Sequence, residues 1–468
     1  MKITADNLWA HVEGTQAERD LLRLYLTVQV KNAEHTESYQ SGHWDGTVKL
    51  FDGRRERFAT GLVRMVVGYC REKGVPAEVV DARAPHETRI LPGGGWLRQY
   101  QAEAVEAMVR RGRGILMAPT GAGKTEIAAR LTQAIPCRWL ILVDTRDLMH
   151  QMAERIALRT GEPGGLAGDG EWSPRRVTVA TLQTLLQGIG QGGPVDRLLE
   201  GAQGLIADEV QVLAADEFRK VAMATPNAWW RFGISATPLE REDEADYRAI
   251  EALGPLIHEI PVETLFELGH LARPEILMVE FPQPRMTGSY PEIYEAGVVL
   301  SDARNALVAK LAARYHAPRP TLVFFKSIYH GKVLAREIGK TAEVEVVSGV
   351  HGTKQRDKAR GRLTRGHTEV LITSRIFNKG IDIPEARSGI NAAGGASRID
   401  ALQKVGRGMR VVPGKTTFRY WDILDTGNYN LEGHARKRIE AYRSRNYNVR
   451  VVRQRELDAV LAQMENTP

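Results

Sequence analysis

The sequence predicts an α/β protein: two tandem doubly wound parallel-sheet domains preceded by a small α+β N-terminal domain. Three observations carry this. Short, nearly continuous apolar runs alternate with helix-patterned stretches, as strands buried on both faces of a parallel sheet require. The alternation occurs twice in succession, with breaks at Gly254-Pro255 and Leu268–Pro274 between the two series. A proline and glycine-rich seam, Ala84-Pro85-His86 through Gly93-Gly94-Gly95, separates the first series from a preceding segment with a different pattern.

In chain order, the N-terminal segment offers a helix near Thr15–Tyr25, a turn at Trp44-Asp45-Gly46, a strand Thr47–Phe51 and a helix over Gly61–Lys73. The first series of strands comprises Gly114–Met117, Trp139–Val143, Arg176–Ala180, Gly204–Ala207 and Phe232–Ser235. The second comprises Ile276–Val279, Thr321–Phe325, Glu343–Val347, Glu369–Thr373, Ser388–Asn391 and Phe418–Ile423. The expected domains are therefore 1–88, 89–268 and 269–430, followed by a basic helical tail over 431–468.

With 468 residues, 43% apolar and 26% charged, the chain has the makeup of an ordinary globular protein. No apolar run is long enough to span a bilayer, and no signal peptide is read at the start, so a cytoplasmic location is expected, in a host cell if the chain is phage-encoded. Two cysteines, Cys70 and Cys137, cannot build a disulfide framework or a four-ligand zinc site. They are expected to be buried thiols. The formal charge of +7 suits a polyanionic partner. Residues 436–455 hold eight basic side chains against Glu440 alone, and Lys354–Arg365 holds six against one acid. Either run can also be read as a solvated helix face.

The most informative stretch is Ala118-Pro119-Thr120-Gly121-Ala122-Gly123-Lys124-Thr125, between a strand and a helix. Gly121 and Gly123 allow backbone N–H groups to curl around phosphate oxygens, and the helix N-terminus adds partial positive charge. Lys124 is placed to reach the β- and γ-phosphates of ATP, and the Thr125 hydroxyl to bind Mg2+. Eighty-four residues beyond Lys124, the apolar run Leu205-Ile206-Ala207 ends in Asp208-Glu209. A carboxylate at the end of a neighbouring strand can hold Mg2+, and the next can orient the attacking water. Asp208 takes the first role and Glu209 the second.

Together with further elements, these residues resemble the superfamily 2 helicases. The loop fits that superfamily's AxxGxGKT form, so Ala118 is in pattern. The resemblance implies RecA-like motor domains, ATP and Mg2+ as cofactors, and ATP hydrolysis. It places Gln101, in Leu97-Arg98-Gln99-Tyr100-Gln101, on the adenine. It assigns Thr145 and Arg146 with Gln151, Thr181 and Gln183, and Ser374 to nucleic-acid contacts. Ser235-Ala236-Thr237 would couple the nucleotide site to strand movement, as would Gln211. Gln211 is a departure, since the acidic motif reads Asp208-Glu209-Val210-Gln211 rather than DEAD or DEAH. In the second domain, Phe324 and Phe325 fall at motif IV. Gly380 and Asp382 belong to a motif touching ATP. Gln403, Arg407 and Arg410 fit QxxGRxxR, whose arginines reach the γ-phosphate; spaced three apart, Arg407 and Arg410 are expected on one helical face.

Within the superfamily, the stretches Gly380–Arg387 and Gly394–Arg398 resemble XPB-type DNA helicases. The stretches Gly42–Gly46 with Leu50-Phe51 and Gly61–Val63, and His434–Ile439, resemble phage UvsW-type helicases. DNA as partner, 3′→5′ polarity and action on forks, R-loops or crossovers follow from this resemblance only, and RNA enters as part of hybrids. Trp44 is a candidate base-stacking residue, or a turn tryptophan over a small core. The oligomeric state is open, and a monomer is compatible with the sequence. Alternative readings are an RNA-remodelling ATPase, the motor subunit of a restriction-type complex, and a non-translocating ATP-gated DNA-binding module.

Overall fold

The computed structural model describes residues 1–31, 33–83, 89–211, 215–237, 246–313, 318–348, 351–374 and 383–465. Two compact units are present, Met1–Ile260 and Pro261–Pro468.

The first unit begins with a five-stranded sheet in the order Phe51–Asp52, Arg57–Ala59, Trp9–Glu13, Lys2–Ala5, Glu78–Asp81. Thr15 caps the helix Gln16–Tyr25 in a reciprocal box with Glu18, which satisfies donors the first turn leaves open. The helix Val63–Glu72 follows a short 3-10 turn, Thr60–Leu62. Ile3, Val12, Leu22, Phe58, Leu62 and Val66 form this small core. The strand expected over Thr47–Phe51 divides in two: Thr47–Lys49 pairs with Thr27–Gln29, while Phe51–Asp52 joins the larger sheet.

This head is seated on the rest of its unit through a close backbone approach. A Cβ on Gly61 would lie 2.1 Å from the Ile250 carbonyl oxygen and 2.5 Å from that of Glu251. Only glycine fits there. Asn7 Nδ2 donates to the Pro226 carbonyl at 2.9 Å. The Arg83 guanidinium lies 4.1 Å above the Trp229 ring, and Tyr247 and Ile250 pack on the head's core.

The remainder of the first unit is an eight-stranded sheet. Its order is Glu171–Ser173, Gly165–Gly168, Val177–Thr181, Trp139–Val143, Gly204–Asp208, Trp230–Ser235, Arg113–Met117, Leu256–Glu259. All neighbours are parallel except the first pair, a hairpin turning at Asp169-Gly170. The run Trp139–Val143 is buried at every position, as its unbroken apolar sequence requires.

The second unit holds a seven-stranded, all-parallel sheet in the order Val344–Val347, Val370–Ser374, Thr321–Phe325, Ser388–Asn391, Thr417–Thr426, Arg273–Pro282, Asn448–Val452. The strands expected at Thr321–Phe325 and Ser388–Asn391 form with those bounds. The basic run Lys354–Arg365 is carried largely by the helix Thr353–Thr364.

The segment expected as a helical tail holds the helices Tyr429–Arg443 and Gln454–Glu465, with one strand between them. Asn448–Val452 alternates β-branched with polar side chains and adds a strand beside Arg273–Pro282. The basic run 436–455 is not wholly a surface. Arg438 is buried, its guanidinium meeting Asp422 at 2.8 and 2.9 Å and the Gly395 carbonyl at 2.6 Å. Tyr442 and Asn391 also donate to Asp422, at 2.8 and 3.1 Å. Burial alone would raise the Asp422 carboxyl; the Arg438 charge and these donors bring it below the usual carboxylate value. Beside it, Arg304 pairs with buried Asp425 at 2.8 Å and donates to the Ala392 carbonyl at 2.8 Å. Tyr294 donates to the Ala393 carbonyl at 2.8 Å. Three side chains thus fix the loop that leads into the helix Arg398–Arg407.

Removing one partner of a buried pair leaves an uncompensated charge, at a cost of about 3–5 kcal/mol. Arg438→Met is expected to destabilise the second unit on that scale in chemical denaturation. Arg436→Met, which loses only an exposed pair with Glu432, is expected to cost less than about 1 kcal/mol.

Candidate functional site

In the first unit, the strand Arg113–Met117 runs into the loop 118–123 and then the helix Lys124–Ala134. Gly121 and Gly123 have φ of 85° and 83°, left-handed values that favour glycine. The Ala118 N–H donates to the Ser235 carbonyl at 2.8 Å, and the Ala122 N–H to Pro119 at 3.1 Å. Ala118 and Ala122 are fully buried, so Ala118 packs against the neighbouring strand. Pro119, Thr120 and Thr125 lie within the same loop and helix start.

Strand order decides what faces this loop. Trp230–Ser235 lies between Arg113–Met117 and Gly204–Asp208, with Ser235 opposite Met117 and Asp208 opposite Ile234. Three segments far apart in sequence therefore end side by side. Lys124 Nζ bonds the Glu209 carboxylate. The other Glu209 oxygen accepts from Gln211 Nε2 at 2.6 Å. Gln211 Oε1 accepts the Ser235 hydroxyl, whose oxygen accepts the Thr237 N–H at 3.0 Å. A continuous polar chain thus runs from the phosphate loop, through the acidic strand end, to Ser235-Ala236-Thr237.

Glu209 has φ of 49°, unusual for a residue with a Cβ. Its N–H is held by the Ile234 carbonyl at 2.8 Å and by Asp208 Oδ1 at 3.1 Å. Such strain persists only where surrounding bonds over-determine it, and it clusters at functional sites. Burial pushes the Asp208 carboxyl up to about 6, with Lys124 opposing the shift and Glu209 adding to it. A buried carboxyl in this condition is stabilised by a divalent cation. No group of three His, Cys, Asp or Glu suited to a metal occurs among the described residues. Asp208 and the Thr125 hydroxyl are hard oxygen donors. Mg2+ commonly takes one or two protein ligands and completes its shell with water and substrate phosphates. The residues present fit that ion.

Gln101 is buried and its amide is engaged with protein. Nε2 donates to the Ala122 carbonyl at 2.8 Å and Oε1 accepts the Arg98 N–H at 2.9 Å. It braces the phosphate loop from behind.

Thr145, Arg146, Thr181 and Gln183, four of the candidate strand-contacting residues, lie at the same edge of the sheet. Thr145 caps the helix Arg146–Thr160, its hydroxyl accepting from Leu148 N–H. Arg146 is exposed and pairs with Asp169 at 2.6 Å; His150 approaches the other Asp169 oxygen at 3.4 Å. Thr181 ends its strand and its hydroxyl bonds Thr184 at 2.8 Å, while Gln183 is exposed on the helix that follows. Trp44, in the head, is half-buried and donates Nε1–H to the Thr47 carbonyl at 2.7 Å. Asp169 was missed from sequence, although Asp-Gly between two short strands is a strong hairpin signal.

In the second unit, Ser374 is buried at the end of the strand Val370–Ser374, whereas Gly380 and Asp382 lie outside the described residues. Gln403 and Arg407 are half-buried on the helix Arg398–Arg407. Arg407 and Arg410 do not share a helical face. The helix ends at Arg407, and Arg410 lies in an extended bridge with Leu271. Gly408 caps the helix, and a Cβ there would lie 2.0 Å from the Phe418 ring, so the backbone packs against Phe418 as only glycine allows.

A phosphate loop, an acidic strand end and a hydroxyl motif on adjacent parallel strands, followed by a second parallel α/β unit, define an ATP-driven helicase motor. Residues 95–240 match the family model of the type III restriction enzyme res subunit, and 303–412 match the helicase conserved C-terminal domain. The DNA 3'-5' helicase XPB of Kineococcus radiotolerans is 30% identical over 382 residues, covering 78% of this chain and 67% of that protein. The ATP-dependent DNA helicase uvsW of Enterobacteria phage T4 is 24% identical over 481 residues, covering 91% and 94%. The fold is also similar to S. cerevisiae Dbp5 bound to RNA and ADP BeF3, with a TM-score of 0.53, 16% identity and coverage of 78% and 92%. The chain belongs to the superfamily 2 DNA helicases, alongside the XPB-type and UvsW-type enzymes. Among the described residues, no helix is long and apolar enough to cross a membrane.

Gly123→Ala would strain a left-handed position by about 1–2 kcal/mol, and its Cβ would lie 2.2 Å from Gln101 Nε2. Titration with a fluorescent ATP analogue is expected to show a loss of affinity of roughly tenfold or more. Gly74→Ala is the control, with φ of 69° but open space around it, and is expected to leave that affinity unchanged.

Proposed function

We propose that this chain is an ATP-dependent DNA translocase that unwinds or branch-migrates DNA, moving 3′→5′ on branched substrates such as forks, R-loops or crossovers. The polar chain from Lys124 through Glu209 and Gln211 to Ser235 is the observation that carries the reading. Lys124 is the partner of Glu209, and the β/γ-phosphates compete for the same ammonium. Binding ATP therefore exchanges one anion for another on Lys124 and leaves Glu209 to orient water. Because the other Glu209 oxygen is tied to Gln211, and Gln211 to Ser235, that exchange is transmitted to the hydroxyl motif. The chain's departure from the usual acidic motif supports the same reading, since the Gln211 amide can donate to a carboxylate and accept from a hydroxyl at once.

Thr125 and Asp208 would hold Mg2+, which neutralises developing phosphate charge when bound. Arg407 and Arg410 act on the γ-phosphate during turnover. Thr145, Arg146, Thr181, Gln183 and Ser374 contact the strand. Arg146 reaches a phosphate by giving up Asp169. The names of the XPB and uvsW relatives support DNA as the substrate, and that of the XPB relative supports 3′→5′ as the direction.

Lys124→Ala and Glu209→Gln are expected to abolish DNA-stimulated ATP hydrolysis while DNA binding is retained. EDTA is expected to remove turnover in the unmodified chain. Unchanged ATP turnover in both variants overturns the reading, and stimulation by RNA alone overturns the choice of DNA. Gln211→Ala and Ser235→Ala are expected to be non-additive in DNA-stimulated turnover by about 0.5–3 kcal/mol, as for residues in one network. A double-mutant cycle across fork, duplex and single-strand DNA checks this.

A further inference from the structure

At the edge of the eight-stranded sheet opposite the phosphate loop lies a cavity of about 440 Å³. It opens where three neighbouring parallel strands begin. Arg138 precedes Trp139–Val143, Arg175 precedes Val177–Thr181, and Ala202 precedes Gly204–Asp208. Thr145, Thr181 and Glu209 stand at the other ends of the same strands. Each strand has five residues, so at ~3.3 Å per residue the two edges are roughly 17 Å apart. The cavity is separate from the nucleotide site and from the candidate strand contacts.

Its lining is basic and aromatic. Arg138, Arg175 and Arg197 are exposed. None of the three is in an ion pair among the described residues. This sets them apart from Arg176 in the same wall, which is fixed by Glu162 at 2.7 Å and by the Thr132 carbonyl at 2.9 Å. Trp172 is 38% exposed on the edge strand Glu171–Ser173. Pro174 and Pro194 add flat apolar surface.

Three unpaired guanidiniums around an exposed indole match a ligand that alternates phosphates with flat rings. Arginine binds phosphate oxygens bidentately, and a base stacks on tryptophan without regard to sequence. The volume suits about one nucleotide and excludes a duplex. An acidic peptide would satisfy the arginines but leave the indole and proline surface uncovered. We propose that this cavity is a second single-strand DNA site, which takes the strand other than the one held at the opposite edge. The proposal rests on the preceding reading only in taking DNA as the substrate.

The full chain is compared with Arg138→Ala/Arg175→Ala/Arg197→Ala and with Trp172→Leu. Stimulation of ATP hydrolysis by a short single-stranded oligonucleotide is expected to be unchanged in both variants, which also shows that they fold. Affinity for a fork with a single-stranded flap is expected to fall about tenfold in the triple variant. Its log–log salt slope is expected to fall by about 1, since a single nucleotide brings one or two phosphates at ~0.7 each. Part of the tryptophan emission quenched by oligo(dT) in the parent is expected to be lost in Trp172→Leu. Equal affinity of parent and triple variant for the flapped fork overturns the proposal. So does an equal loss on forks with and without a flap, or quenching of Trp172 by poly-glutamate but not by oligo(dT). If DNA fails to stimulate the parent's ATP hydrolysis, the motor reading fails, while the quenching titration still decides this site.

Discussion

The nucleotide site depends on one constraint, the position of the strand Trp230–Ser235 between Arg113–Met117 and Gly204–Asp208. Parallel strands bring their carboxyl ends to one edge, where ligands bind in this class of fold. The order within the sheet then decides which loops become neighbours. Here the hydroxyl motif is inserted between the phosphate loop and the acidic pair, so Ser235 supplies a carbonyl to Ala118 on one side and a hydroxyl to Gln211 on the other. The strained backbone of Glu209 is held by the same strand, through the Ile234 carbonyl. A shift of that strand would disturb all three motifs together.

The second unit is organised differently. Its loop 392–397 follows a strand end and carries little apolar side chain, so packing alone would not fix it. It is fixed instead by charges brought inside: Arg304 with Asp425, and Arg438 with Asp422, each spending a remaining N–H on a loop carbonyl. Lys404, on the helix that follows, is buried against Asp400 and Asn391. These groups must stay ionised and hydrogen-bonded to be tolerated in a core. The loop and the start of the helix bearing Arg407 are thereby set as one rigid piece.

The parallel sheets were legible because their strands are buried on both faces and leave unbroken apolar runs, as in Trp139–Val143 and Thr321–Phe325. Strands that are half-exposed or very short left no such run: Glu78–Asp81, Glu171–Ser173 and Asn448–Val452. The phosphate loop and acidic pair were legible because phosphate chemistry restricts both residue type and spacing. The pairing of Lys124 with Glu209 and of Arg146 with Asp169 was not, since it depends on strand order and on a hairpin. Gln101 shows the limit of a motif: its position could be read from sequence, but the direction of its amide, toward Ala122, could not. Arg438 looked like part of a basic surface because local sequence does not contain Asp422, its buried partner sixteen residues earlier.

The glycine at the joint of the head has a mechanical consequence. With Gly61 seated directly on the carbonyls of Ile250 and Glu251, and Asn7 and Arg83 tied to the loop before Trp230–Ser235, the described residues join the head at three places to the unit that carries the phosphate loop. Displacing the head alone would have to part all three of these contacts at once, as a joint pinned at several points resists turning about any one of them.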